Sequence, residues 1–139
     1  MTDLQAMLIQ QEGERLKPYT DTVGKLTIGI GRNLDDKGIS HDEAIMFLNA
    51  DIADAIDDVQ HVCSIYDDLS RPRQLVMVSM AFNLGRERLG KFVRFLGAIH
   101  REDWQDAADE MLASSWAKQV GTRATTLATM MRENVSQWV

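Results

Sequence analysis

The sequence predicts an α+β fold, mostly helical and two-lobed, with a small antiparallel sheet lobe and a larger helical lobe joined by a long helix. Three observations predict it. Apolar residues recur at helical spacing from about residue 41 to 60, the run from Leu75 to Phe82 is apolar nearly all round, and residues 26–31 have strand chemistry. With 139 residues, 45% of them hydrophobic, the chain is sized for one domain over 1–139. The expected division is a sheet lobe at about 13–40, a connecting helix at about 41–60, and a helical lobe at about 68–139 that takes in an N-terminal helix at 2–12.

The N-terminal helix has a start and a stop. Thr2 and Gln5 stand at capping-box spacing, Leu4, Met7, Leu8 and Gln11 share one face, and Gly13 ends it. Glu12 therefore lies at the helix C-terminus, where the dipole disfavours a negative charge and favours the protonated acid. Turn signals follow at Thr20-Asp21-Thr22 and Gly24, then the strand Leu26-Thr27-Ile28-Gly29-Ile30-Gly31, with Ile28 and Ile30 on one face. Glycines at 29 and 31 weaken a strand and signal close approach of another backbone or a ligand.

Ser40-His41-Asp42-Glu43 is a second capping box, opening the long helix with Ala44, Leu48, Ile52, Ala55, Ile56 and Val59 as its apolar stripe. Its outer face carries Asp51, Asp54, Asp57 and Asp58, read as solvated surface because the spacing matches no calcium loop. Ser70-Arg71-Pro72 starts the buried helix that Gly85 ends. Shorter helices are expected at 92–100, at 104–113 capped by Asp103, and at 122–132 capped by Thr122.

Charge and composition exclude several classes. The net charge of −6 divides into about −9 over residues 1–69 and +3 over 70–139, and no basic stripe interleaves with aromatics, which argues against nucleic-acid binding. The lone Cys63 forms no internal disulfide and reads as a buried thiol. The N-terminus lacks the basic start and apolar run of a signal peptide, and no run approaches the roughly 18 apolar residues of a membrane span. The expectation is a cytoplasmic monomer without stable membrane insertion, which needs another agent to let it out if its substrate lies beyond the membrane. His41, His61 and His100 show no metal-ligand spacing, and neither metal nor organic cofactor is expected. Trp104 and Trp116 read as core, while Trp138 is too near the C-terminus to place.

The polar cluster with chemical meaning is Glu12, Asp21 and Thr27, one from a helix end and two from a hairpin. Two carboxylates across a cleft are the minimum equipment for breaking a glycosidic bond. One donates a proton to the leaving oxygen; the other, ionised, orients water or stabilises positive charge on the sugar.

The longer string from Glu12 to Gly31 resembles the signature of T-even-phage-type lysozymes, glycoside hydrolase family 24: Glu-Gly, then Arg-Leu, Tyr, Asp, Gly and Thr-Ile-Gly-x-Gly. The resemblance continues at Phe82-Asn83-Leu84-Gly85, Trp104, Ser115-Trp116 and Thr122-Arg123-Ala124, covering almost the whole chain. It implies the two-lobed lysozyme fold and hydrolysis of the β-1,4 bond between N-acetylmuramic acid and N-acetylglucosamine in bacterial peptidoglycan. It implies Glu12 as general acid and Asp21 and Thr27 as holders of water on the opposite sugar face, an arrangement that inverts the anomeric centre. It implies Arg123 as the arginine paired with Glu12. Gly31, Asn33, Phe82 and Asn83 fall at or near family cleft positions, Phe82 suiting a core role equally well. Asn83 stands where relatives often carry glutamine, near the hinge, in possible touch with Trp116.

The sequence also departs from the family. Arg32 stands where relatives often carry histidine, so any histidine–carboxylate bridge is replaced by an arginine able to reach an acid of the 41–60 helix. Asn33 replaces an apolar residue, and the segment between Gly31 and Ser40 is short. Beside an endolysin, the alternatives are a silent peptidoglycan-binding module and a virion-associated lysozyme.

Overall fold

The first helix, α1 (Asp3–Glu12), begins where its capping box dictates: Thr2 Oγ1 accepts the Gln5 N–H at 3.0 Å and Gln5 Oε1 accepts the Thr2 N–H at 2.7 Å. This is seen in a computed structural model of the chain, which describes residues 1–138. Backbone proximity divides the chain into a first unit, Met1–Phe47, and a second that begins at Leu48. The N-terminal helix thus falls in the first unit with the sheet, where sequence joined it to the helical lobe.

The first unit is built on a three-stranded antiparallel sheet in the order β1 (Arg15–Thr20), β2 (Leu26–Gly29), β3 (Arg32–Asn33). Tyr19 lies opposite Thr27 and Arg15 opposite Gly29, with an irregularity between these two pairs. Pro18 falls in that stretch and has no N–H to give the ladder, which suits an edge strand. The strand expected through Gly31 stops at Gly29. Gly29 and Gly31 both have φ of +70°, a value no strand holds, so Ile30-Gly31 turn the chain into β3.

Arg32 leads out of that turn into the next helix, α2 (His41–Val62). Ser40 and Glu43 form the expected reciprocal cap, 2.9 and 3.1 Å. The same Glu43 carboxylate receives both terminal nitrogens of Arg32, the acid of the long helix that the sequence left unspecified. The Arg32 hydrogen bond above all, then the Ser40 N–H, holds the Glu43 carboxyl well below its ordinary 4.5, at about 2.

The second unit is helical: a 3₁₀ turn at Tyr66–Asp68, then α3 (Arg71–Gly90), α4 (Val93–His100), α5 (Trp104–Ala113), α6 (Ser115–Val120) and α7 (Thr122–Glu133). The 3₁₀ turn and α6 are additions to the expected elements. Both are too short to show a period, although Ser114 caps α6 by accepting the Ala117 N–H at 3.2 Å. Asp103 caps α5 as expected. The start of α7 is corrected: Gly121 is its N-cap and Thr122 its first residue, with no side-chain cap bond. Gly85, with φ 76° and ψ 172°, ends the first helical stretch of α3 as expected, and a second stretch runs on to Gly90 beyond the kink.

Val76, Met77 and Met80 of α3 are sealed in a core with Phe95, Met111 and Trp116. Cys63 is buried with them, and burial pushes its thiol pKa up, as a structural cysteine requires. Phe82 is 49% exposed, which sets aside its core alternative. Of the acidic face of α2, Asp57 and Asp58 pair with Arg86 at 2.6 and 3.1 Å, while Asp51 and Asp54 face solvent.

One buried cation is unforeseen by any pattern. Arg73, 9% exposed, donates through Nε to Met131 O at 2.7 Å and through a terminal nitrogen to Arg132 O at 3.3 Å, with its guanidinium 4.0 Å from the Trp104 ring centroid. Those carbonyls belong to the last turn of α7, where orphan acceptors and the dipole favour a cation. Removing it strands buried acceptors. Arg73→Met should lower stability by about 2–3 kcal/mol, read as a lower urea midpoint with unchanged far-UV dichroism.

Glu43 yields a prediction with a sign. Its folded pKa lies below its unfolded value, so its contribution is complete above about pH 4.5 and drains away as pH falls toward about 2. Glu43→Gln should flatten the wild type's loss of stability across that window and leave the slope near neutral pH unchanged, measured by urea titrations at stepped pH.

Candidate active site

The site begins where α1 stops. Gly13 closes the helix by donating its N–H to Ile9 O at 2.8 Å, and two residues later β1 starts, opposite the end of β2. This brings the side chain of Glu12 back against the turn that follows β2. A Cβ placed on Gly31 would lie 2.8 Å from Glu12 Oε2 and 3.2 Å from its Cδ. Glycine suits the position twice over: its φ of +70° strains other residues, and a Cβ there would make the Glu12 carboxyl shift. The close approach that the glycines signalled in the sequence is thus a carboxylate. Glu12 helps line a depression of about 530 Å³ together with Leu8, Ile9, Ile30 and Gly31.

Asp21 and Thr27 are joined through one residue. Asp21 Oδ1 accepts the N–H groups of Val23 at 3.0 Å and Lys25 at 2.8 Å, folding its own turn. Thr27 Oγ1 donates to Lys25 O at 2.9 Å, and its side chain is 3% exposed, which fixes its rotamer. The Lys25 main chain therefore sets both catalytic candidates in one frame. Sequence reading missed Lys25 because a backbone role leaves no side-chain signature. It also missed Asp35, whose carboxylate accepts the Leu26 N–H at 2.7 Å.

Glu12, Asp21, Thr27, Gly31 and Asn33 all lie in the first unit. Asn33 uses both ends of its amide on Asp36, donating at 2.9 Å and accepting at 3.0 Å. In the second unit Phe82, Asn83 and Arg123 line one surface depression of about 320 Å³ with Leu48 and Leu75. Arg123 donates there to Asn83 Oδ1 at 2.9 Å. Asn83 makes no hydrogen bond to Trp116, whose buried indole N–H lacks a partner among the described residues. No group of three or more His, Cys, Asp or Glu side chains among the described residues is placed to hold a metal, and no described helix is long and apolar enough to cross a membrane.

A carboxylate at a helix end, with a second carboxylate and a hydroxyl on the adjoining hairpin of a mostly helical α+β protein, is the equipment of a glycosidase. The chain belongs to the phage lysozyme family, whose model matches residues 9–134, a span that includes Glu12, Asp21, Thr27 and Arg123. It is similar to probable T4-type lysozyme 2 of Dictyostelium discoideum, 28% identical over 89% of this chain and 90% of that protein. Probable T4-type lysozyme 1 of the same organism is also 28% identical, with the same coverage. The pre-baseplate central spike protein Gp5 of Enterobacteria phage T4 is 29% identical over 86% of this chain but only 26% of its own length.

The contact at Gly31 is testable without substrate. Gly31→Ala should cost about 1–2 kcal/mol from the positive φ alone, measured by chemical denaturation. The new methyl group should also displace the Glu12 carboxyl, seen as a shifted Glu12 side-chain carboxyl resonance.

Proposed function

We propose that this protein is an endolysin that hydrolyses the β-1,4 bond between N-acetylmuramic acid and N-acetylglucosamine in bacterial peptidoglycan, acting as a monomeric single domain. The observation that carries the reading is the Glu12 carboxylate seated on Gly31, in the same unit as an aspartate and a threonine locked together through Lys25.

Glu12 gives its proton to the bridging oxygen as the bond breaks. Thr27 has spent its hydroxyl proton on Lys25 O, so toward a water it acts as an acceptor. Asp21 has engaged Oδ1 in its own turn, and Oδ2 accepts. A water that donates one hydrogen to each presents a lone pair to the anomeric carbon, opposite the departing sugar. As the new bond to the anomeric carbon forms and the bond to the departing sugar breaks, Asp21 takes a proton from the water as general base, and attack from that face inverts the configuration. On this reading Gly31, Asn33, Phe82 and Asn83 contact the glycan, and Arg123, which donates to Asn83 Oδ1, orients that amide. The chemistry calls for no metal or organic cofactor.

A second reading has one observation in its favour. The similarity to a segment of a phage spike protein fits a virion-borne lysozyme that opens the wall at infection rather than at release.

Glu12→Gln should reduce clearing of a peptidoglycan suspension by at least about 100-fold with the fold intact by circular dichroism. Asp21→Asn and Thr27→Ala should slow turnover less severely. Wild-type clearing by Glu12→Gln overturns the assignment of the acid. NMR of the fresh product should show the inverted anomer, and mass spectrometry should show muramidase ends; binding without new reducing ends would mark a silent module.

A further inference from the structure

We propose that Arg32 and Glu43 form a positioning clamp for the general acid: they fix the chain leaving Gly31 and so hold that residue's backbone against the Glu12 carboxylate. The inference rests on the assignment of Glu12 as the acid.

Within the first unit the Glu12 carboxylate accepts no hydrogen bond, so packing sets its place. What it packs on is Gly31, at a distance that leaves no room for a Cβ. The turn carrying Gly31 has little stiffness of its own. Gly29 and Gly31 flank Ile30, and β3 beyond is only two residues long. Something other than the local chain must hold the turn, and the next residue does. One Arg32 nitrogen donates to Gly38 O at 3.1 Å and to Glu43 Oε1 at 3.0 Å, while the other donates to Glu43 Oε2.

This is a fork on a carboxylate, fixed at both ends. Glu43 is itself held, because its Oε1 accepts the Ser40 N–H at 2.9 Å and its backbone is the first turn of α2. The pair is one-third exposed or less, at 28% for Arg32 and 33% for Glu43. Isolated solvated pairs contribute little, but a bidentate arginine tied also to a backbone carbonyl fixes geometry. The path is short: α2 holds Glu43, Glu43 holds Arg32, Arg32 follows Gly31, and Gly31 backs Glu12. None of the clamp atoms needs to touch substrate.

Glu43→Gln separates this role from helix capping, because glutamine still completes a capping box but offers no second carboxylate oxygen. In Glu43→Gln and Arg32→Gln we expect kcat on peptidoglycan fragments to fall about 3- to 10-fold, with KM within about twofold, the signature of a misplaced acid rather than lost binding. Amide hydrogen exchange at Gly31 and Arg32 should quicken while the first turn of α2 keeps its protection in Glu43→Gln. In a Gly31→Ala background, where the carboxyl is already displaced, Glu43→Gln should add less than about twofold. Wild-type kcat in both clamp variants, unchanged exchange at Gly31, or a full additional loss in the Gly31→Ala background each overturns the clamp. Glu12→Gln without activity beside a wild-type Glu43→Gln overturns the clamp alone, whereas an active Glu12→Gln overturns the acid and the clamp together.

Discussion

The approach of the Glu12 carboxyl to the Cα of Gly31 constrains everything around it in the first unit. The helix must stop at once after Glu12, so a glycine follows. The strand after it must run back beside β2, so that the turn at residue 31 meets the helix end. That turn must have a positive φ and no side chain. Gly13, the β1–β2 pairing and Gly31 are thus three consequences of one contact. This approach ties the end of the helix to the turn at the sheet's end.

The second unit is organised on the opposite principle. Its helices share an apolar core with no measurable exposure at many positions, and its one buried cation, Arg73, is spent on a helix end. A buried charge is tolerated when each hydrogen-bonding arm has a partner and the aliphatic stem lies among apolar neighbours. Arg73 places two of its three nitrogens on carbonyls of α7 and its guanidinium over the face of Trp104. The ring therefore has a purpose that a core reading of Trp104 captures only in part: it is a lid on a guanidinium.

What was legible in the sequence follows from range. Both capping boxes, the Asp103 cap and the stop at Gly13 act over three or four residues, and each stands where the spacing put it. The strand 26–31 was overextended because alternation of Ile28 and Ile30 outweighed the two glycines, whose dihedral angles end the strand at 29. Thr122 lost its capping role to Gly121 because a glycine cap works through backbone conformation, without a side-chain signal. For the candidate site a twenty-residue signature supplies the names, but the roles of Lys25 there and of Arg73 in the second unit leave no local signal. One acts through its main chain and the other across 58 positions of sequence.

Hydrogen-bond directions also narrow the chemistry. Had Thr27 kept its proton free, it would offer a water either a donor or an acceptor, and the water's lone pairs would point in either of two ways. Lys25 O takes that proton, and Lys25 N–H takes one oxygen of Asp21. The carbonyl of one residue thus removes the ambiguity from Thr27, while the N–H of the same residue anchors an aspartate that, ionised, can only accept. On the proposed reading, a water between them is left with both hydrogens directed to the protein and its electron pair to the sugar. The hairpin turn is then more than a connection: its backbone hydrogen bonds decide which end of the nucleophile faces the bond to be broken.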